Sequence, residues 1–275
     1  MGTAEPFPGS ERTGLFWFFN PANVELIVKN LDGSTVNGFI WTFYGALSDV
    51  EYWITVTDTA EGRNRTYHNR PGEICGRGDT ASFPEAAATE GGAIRYGDDS
   101  VADLLEPDGA APPPLADGPR ASLGGGSRPT QGFAVPRSAA PPADGLVALP
   151  SGGLQPAVGA GTGACTPGEH TLCLLGGRFE VEVDWHDQHN GGSGQGQAVP
   201  GTDKTGFFWF FNSSNVELVV KMLDATGVNG HFWAFWGALS DVEYTITVTD
   251  TVTATPVTYH NPPGEICGDA DTEAF

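Results

Sequence analysis

The chain has few basic residues, few cysteines and no long apolar run. It carries 13 Lys and Arg against 34 Asp and Glu in 275 residues, a formal charge of −21. Nucleic-acid binding depends on basic patches that displace counterions from phosphate, so this balance excludes that class of protein. No run of about 18 apolar residues occurs, so we expect no membrane span. Four cysteines are too few for a disulfide scaffold, and the fold is expected to depend on a hydrophobic core.

The middle of the chain has a different composition from its ends. Residues 84–164 are rich in Pro, Gly and Ala, with Tyr96 and Phe133 as their aromatic residues, and all seven tryptophans lie outside them. Such a segment cannot bury enough apolar area to offset the entropy of ordering its backbone. We therefore predict a disordered low-complexity linker over residues 84–164.

The two ends of the chain are copies of each other. Residues 11–83 align without a gap to residues 203–275 at a constant offset of 192, and about 47 of the 73 pairs are identical. We therefore divide the chain into repeat 1 (residues 1–83), the linker, and repeat 2 (residues 165–275).

Repeat 1 lacks a segment that repeat 2 has. Residues 165–201 precede the shared block in repeat 2 and include a predicted strand at 178–185, in which Phe179, Val181, Val183 and Trp185 alternate with acidic residues. We interpret Met1 as an internal start or a truncation, which would also explain why no signal segment is visible. The alternative is that repeat 1 borrows a strand from another chain.

Short alternating segments separated by turn signals fill repeat 2. Strands are predicted at residues 171–174, 178–185, 206–211, 215–223, 230–239, 242–251 and 256–261. A unit of about 110 residues with some seven such strands is typical of an immunoglobulin-like antiparallel β-sandwich, and this all-β fold is predicted for both repeats. In the segment 215–223 the alternation places Glu217 and Lys221 on an outer face, where we expect cross-strand partners.

Four tryptophans are candidate ligand contacts. Trp17 and Trp209 belong to the repeated string FWFF, which is aromatic on both strand faces, and Trp236 lies in a later aromatic strand. Exposed rings of this kind could stack on sugars or dock a protein, but we favour the alternative that a folded-over loop covers them. Trp53 falls on a polar strand face where repeat 2 has Thr245, so it is a candidate contact of repeat 1 alone.

The cysteines allow three connectivities, and their spacing does not decide between them. Cys165 and Cys173 lie eight residues apart around a Pro-Gly turn, and we favour this pair as a local disulfide. Cys75 and Cys267 occupy equivalent positions in the repeats and stay unassigned: free, paired with each other, or paired with a neighbouring module. The set suits an oxidising, extracellular compartment.

Metal and catalytic signals are weak. Asp184, His186, Asp187 and His189 form a loose string of potential ligands at the end of a strand, but no fourth ligand is evident and we favour a solvated loop. Carboxylates recurring near strand ends make calcium conceivable, although no DxDxDG loop occurs. No nucleophile elbow, HExxH or phosphate-binding glycine loop is present, and duplication is typical of binding modules, so we predict a non-catalytic protein.

The strings FWFFN..NVEL.VK.LD, W.F.GALSDVEY.ITVTDT and TYHN.PGE, with LCLLGGRFEVEVDW upstream, resemble a β-module of secreted, modular bacterial proteins. The resemblance covers nearly all of residues 8–83 and 165–275, and the cysteine of GEICG departs from it. It implies a secreted or cell-surface, non-catalytic module with a structural, adhesive or ligand-binding role toward carbohydrate or protein. Two alternatives stay open: an accessory domain pair of a larger secreted hydrolase, and a calcium-dependent surface module.

Overall fold

The computed structural model describes residues 2–7, 10–85 and 165–275. The predicted linker lies outside the described residues except at its first two positions. The last strand of repeat 1 includes Pro84, so this repeat extends slightly beyond the predicted boundary at residue 83.

The described residues form an all-β fold, as predicted. Repeat 1 contains β1 (Thr3–Pro6), β2 (Thr13–Trp17), β3 (Leu26–Gly33), β4 (Phe39–Ala46), β5 (Tyr52–Asp58), β6 (Arg63–Asn69) and β7 (Arg77–Pro84), with the one-turn helix α1 (Ser34–Asn37) between β3 and β4. Repeat 2 contains β8 (Leu172–Leu174), β9 (Phe179–His186), β10 (Ser193–Gln195), β11 (Gln197–Pro200), β12 (Thr205–Trp209), β13 (Leu218–Ala225), β14 (His231–Ala238), β15 (Glu243–Asp250), β16 (Thr255–Asn261) and β17 (Asp269–Asp271). The seven predicted strands of repeat 2 are found, and the short strands β10, β11 and β17 are additional.

Repeat 2 is a sandwich of two antiparallel sheets. One sheet, here called the inner sheet, has the order β11-β12-β13-β14-β17. The other, the outer sheet, has the order β10-β9-β15-β16, with β8 also paired to β9. The alternating side chains Phe179, Val181 and Val183 of β9 are fully buried between the sheets, because every second residue of a strand points to the same face.

Repeat 1 has the same inner sheet but a much smaller outer sheet. Its inner sheet has the order β1-β2-β3-β4-β7, and β1 pairs with β2 (Thr3 opposite Trp17) as β11 pairs with β12 (Gln197 opposite Trp209). Its outer sheet consists of β5 and β6. In the described residues repeat 1 therefore has no counterpart of β8, β9 or β10.

The inner sheets of the two repeats pack face to face, so the chain forms four layers. A shared core between them draws apolar residues from both repeats: Phe7, Leu15, Val24, Ile27, Leu47, Phe207, Val216, Val219, Phe235 and Leu239. The prediction that Glu217 and Lys221 lie on an outer face is wrong, because they are only 1% and 2% exposed at this interface. Alternation identified the residues that share a face, but the second repeat covers that face.

Equivalent residues meet across the inter-repeat interface as they would across a two-fold axis. A Cβ on Gly45 would lie 3.4 Å from the carbonyl oxygen of Ala238, and one on Gly237 would lie 3.2 Å from that of Ala46. Gly76 is tighter, since a Cβ there would lie 2.8 Å from the carbonyl oxygen of Ile266. Glycine at these positions lets the two backbones approach closely. The geometry is that of an isologous dimer contained in one chain.

Within the part of the chain that the structure describes, no helix is long and apolar enough to cross a membrane.

Candidate interaction surfaces

A buried lysine from each repeat reaches into the other repeat. Lys29 Nζ donates hydrogen bonds to Asn215 Oδ1 (2.7 Å) and to the carbonyl oxygens of Val216 (2.9 Å) and Leu239 (3.0 Å). Its equivalent, Lys221, donates to the corresponding carbonyl oxygens of repeat 1, those of Val24 (3.2 Å) and Leu47 (2.6 Å). The reciprocal pattern shows that the polar contacts of the interface follow the same two-fold relation as its apolar core.

Each lysine is accompanied by a buried glutamate of the opposite repeat. Burial lowers the pKa of Lys29 to about 8 against the opposing attraction of Glu217, and lowers the pKa of Lys221 to about 7 against that of Glu25. Burial likewise raises the pKa of Glu217 to about 8, although Lys29 and the Phe210 N–H favour its charged form. These ionisable groups are buried, so they are not available to a ligand, and their hydrogen bonds run from one repeat to the other.

Two disulfides complete this framework. Cys75 and Cys267 are bonded across the interface, which is one of the alternatives that the sequence left open. Cys165 is bonded to Cys173 within repeat 2, the local pair that the spacing favoured. Two disulfides in one chain indicate an oxidising environment.

The outer face of β5 and β6 carries an exposed aromatic platform, formed by Trp53, His68 and Glu51. Trp53 is 60% exposed, and its ring stacks on that of His68 with centroids 4.5 Å apart and planes 5° from parallel. The Glu51 carboxylate lies 3.0 Å from His68 Nε2 and fixes the orientation of the imidazole. The stacking orients the indole, whose exposed area remains open to a planar or ring-shaped partner.

The other three candidate tryptophans are not equally accessible. Trp17 and Trp209 are half-buried at the ends of β2 and β12. Trp236 lies in the core of repeat 2 and stacks on Tyr259 with centroids 4.3 Å apart. The prediction that Trp236 contacts a ligand is therefore wrong, and Trp236 is a core residue. Its aromatic neighbours in the sequence did not show that a second sheet covers it.

The free edge of β5 is the second accessible feature of repeat 1. In repeat 2, β15 pairs with β16 on one side and with β9 on the other along its whole length. In repeat 1, β5 pairs with β6 over Tyr52–Asp58, and no described strand pairs with its other edge. An edge strand of this kind presents unpaired N–H and C=O groups to a further strand.

The predicted metal ligands do not converge. Asp187 is buried and accepts hydrogen bonds from His189 N (2.9 Å) and Asn190 Nδ2 (3.0 Å), which stabilises the turn after β9. His186 contacts Ser193 Oγ at 2.9 Å, while Asp184 is exposed. Across residues 2–7, 10–85 and 165–275, no three His, Cys, Asp or Glu side chains are grouped so as to hold a metal ion.

Comparison with family models, with curated proteins and with solved structures finds no match to this chain.

Proposed function

We propose that this protein is a non-catalytic, secreted or cell-surface module that binds carbohydrate through the aromatic platform of repeat 1. The observation that carries the proposal is the exposed Trp53 ring, held parallel to His68 on a strand face. An exposed indole on a rigid strand offers an apolar surface of the size of a sugar ring with little loss of side-chain entropy on binding.

The rest of the molecule suits a rigid support for such a site. The interface lysines, the shared apolar core and the Cys75–Cys267 bond join both repeats into one body. A binding group on a sheet of a rigid scaffold is positioned more precisely than one on a loop. The disulfides support an oxidising, extracellular location, and the strong negative charge favours solubility.

Trp53→Thr is the matched test, since threonine is the residue of repeat 2 at this position. On a glycan array followed by titration of the strongest glycan, we expect this variant to bind at least about tenfold more weakly, because the stacking surface is lost. Its thermal unfolding should match that of the wild type, since Trp53 is largely exposed.

Repeat 2 provides the converse experiment. His260 and Glu243 occupy the positions of His68 and Glu51, with His260 Nε2 3.6 Å from Glu243 Oε1. Thr245→Trp should therefore build a second platform and raise the number of bound glycans per chain from one to two. An array without hits, or unchanged binding by Trp53→Thr, would reject carbohydrate binding at this surface.

A further inference from the structure

The outer sheet of repeat 2 shows what covers the edge that is free in repeat 1. There β9 lies antiparallel to β15, from Glu243 opposite His186 to Asp250 opposite Phe179. Phe179 packs on Phe232 and Phe275, with ring centroids 5.1 and 5.0 Å away. One strand thus satisfies the backbone of β15 and closes the sandwich.

Repeat 1 keeps the receiving surface for such a strand but leaves it open. Phe16, Phe18 and Val56 are only half-buried, whereas their counterparts Phe208, Phe210 and Val248 in repeat 2 are buried.

Phe19 is also more exposed than its counterpart in repeat 2. Phe19 is 77% exposed, while its counterpart Phe211 packs against Trp185 of β9 with centroids 4.9 Å apart. The extra exposure in repeat 1 lies where side chains of a β9-like strand would sit.

The edge itself has the composition of a pairing strand. Its sequence, YWITVTD, contains β-branched and aromatic residues and no Lys, Pro or Gly. Natural proteins protect free edges with lysines, prolines or bulges, and in the described residues β5 carries none of these devices.

We propose that the free edge of β5, together with Phe16, Phe18, Phe19 and Val56, is an acceptor site for an extended, alternately apolar strand of a polypeptide other than a second copy of this chain. The strand would add antiparallel to β5 and insert apolar side chains at alternate positions between the outer and inner sheets. Strand β9 of this chain pairs with β15 in the same way in repeat 2 and shows what such a partner strand would look like. The site is independent of the proposed carbohydrate platform, which uses the opposite face of β5.

The partner strand does not need a counterpart of Arg178, the residue just before β9. In repeat 2, Arg178 Nη2 pairs with the buried Asp250 at 2.8 Å, while the equivalent Asp58 already pairs with Arg63 of its own repeat at 2.7 Å. Apolar alternation, and not a basic residue at its start, is therefore the feature that the acceptor site recognises.

The test uses the full chain and a fluorescein-labelled peptide of residues 178–186, RFEVEVDWH. Fluorescence anisotropy should show saturable binding of one peptide per chain. A control peptide with Phe179→Ser, Val181→Ser and Val183→Ser should bind at least about tenfold more weakly, because it cannot fill the space between the sheets. Hydrogen exchange of Tyr52–Asp58 should slow when the first peptide is bound.

A control variant of the protein carries its own strand for β5, and we call it the self-complemented chain. Because Thr3 of β1 corresponds in register to Gln197 of β11, residues 165–196 can be placed directly before Thr3. This chain should unfold at a higher temperature and lose peptide binding, while it keeps any glycan binding. The proposal is overturned if the wild type does not bind the peptide, if the serine peptide binds equally well, or if the self-complemented chain still binds. It is also overturned if a second copy of the chain already protects β5 in a stable dimer.

Discussion

Replacing Lys29 by methionine is expected to lower the free energy of unfolding by about 3–5 kcal/mol. The substitution removes the donor of three hydrogen bonds, to Asn215 Oδ1 and to the carbonyl oxygens of Val216 and Leu239. These acceptors are buried in the interface, where water cannot replace the ammonium group. Urea denaturation of the full chain measures the effect.

Lys204→Met is the matched control, because Lys204 is not buried and makes no side-chain hydrogen bond in the interface. It should change stability by less than about 0.5 kcal/mol. The double variant Lys29→Met with Glu217→Gln should lose less than the sum of the single losses, since the two groups interact. A loss below about 1 kcal/mol for Lys29→Met would mean that Lys29 does not hold the repeats together.

The pH dependence provides a second measurement on the same variant. The pKa of Lys29 is about 8 in the folded protein and 10.5 for a lysine in the unfolded chain. Between these two pH values the unfolded chain therefore binds more protons than the folded protein. Stability should therefore rise with pH over this range, from about pH 8 toward 9.5. Lys221 adds a slope of the same sign, so Lys29→Met should reduce the rise without abolishing it.

Removal of the inter-repeat disulfide is expected to lower the free energy of unfolding by about as much as Lys29→Met. The Cys75–Cys267 bond joins residues 192 apart in sequence. The loop-closure relation gives roughly 5 kcal/mol for a loop of this length, and measured losses are typically about 2–5 kcal/mol. We expect the variant Cys75→Ser with Cys267→Ser to fall within this range in urea denaturation.

The other disulfide is a control for the loop-length argument. Cys165 and Cys173 close a segment of only 8 residues, for which the same relation gives roughly 2–3 kcal/mol. Cys165→Ser with Cys173→Ser should therefore cost less than the inter-repeat pair. The reverse order would show that the long-range bond adds little to an interface that other contacts already hold.

Much of the fold follows from the sequence. The duplication divided the chain into two repeats, and alternation in residues 178–185 identified β9 and its buried side chains. Trp53 was identified as a candidate contact because it lies on a polar strand face where its counterpart in repeat 2 is threonine. The strands β10 and β17 could not be found in this way, because Ser193–Gln195 and Asp269–Asp271 lack alternating apolar residues.

The inter-repeat interface could not be predicted from pattern alone. Alternation shows that Glu217, Val219 and Lys221 share a face, but it does not show what covers that face. The Cys75–Cys267 bond was equally undetermined, since four cysteines permit three connectivities. The signal that could have pointed to the interface is that Glu and Lys, four residues apart, occur beside the same apolar residues in each repeat.

Cleavage between the repeats tests most directly whether they form one two-fold-related body. A recognition site for a sequence-specific protease is inserted within residues 86–164, and the cut protein is analysed by native size-exclusion chromatography with and without reductant. We predict that the two fragments co-elute in equal amounts even after reduction, and that they stay covalently linked in denaturant until Cys75–Cys267 is reduced. Fragments that separate on native chromatography once reduced, or that are not linked before reduction, would contradict the account.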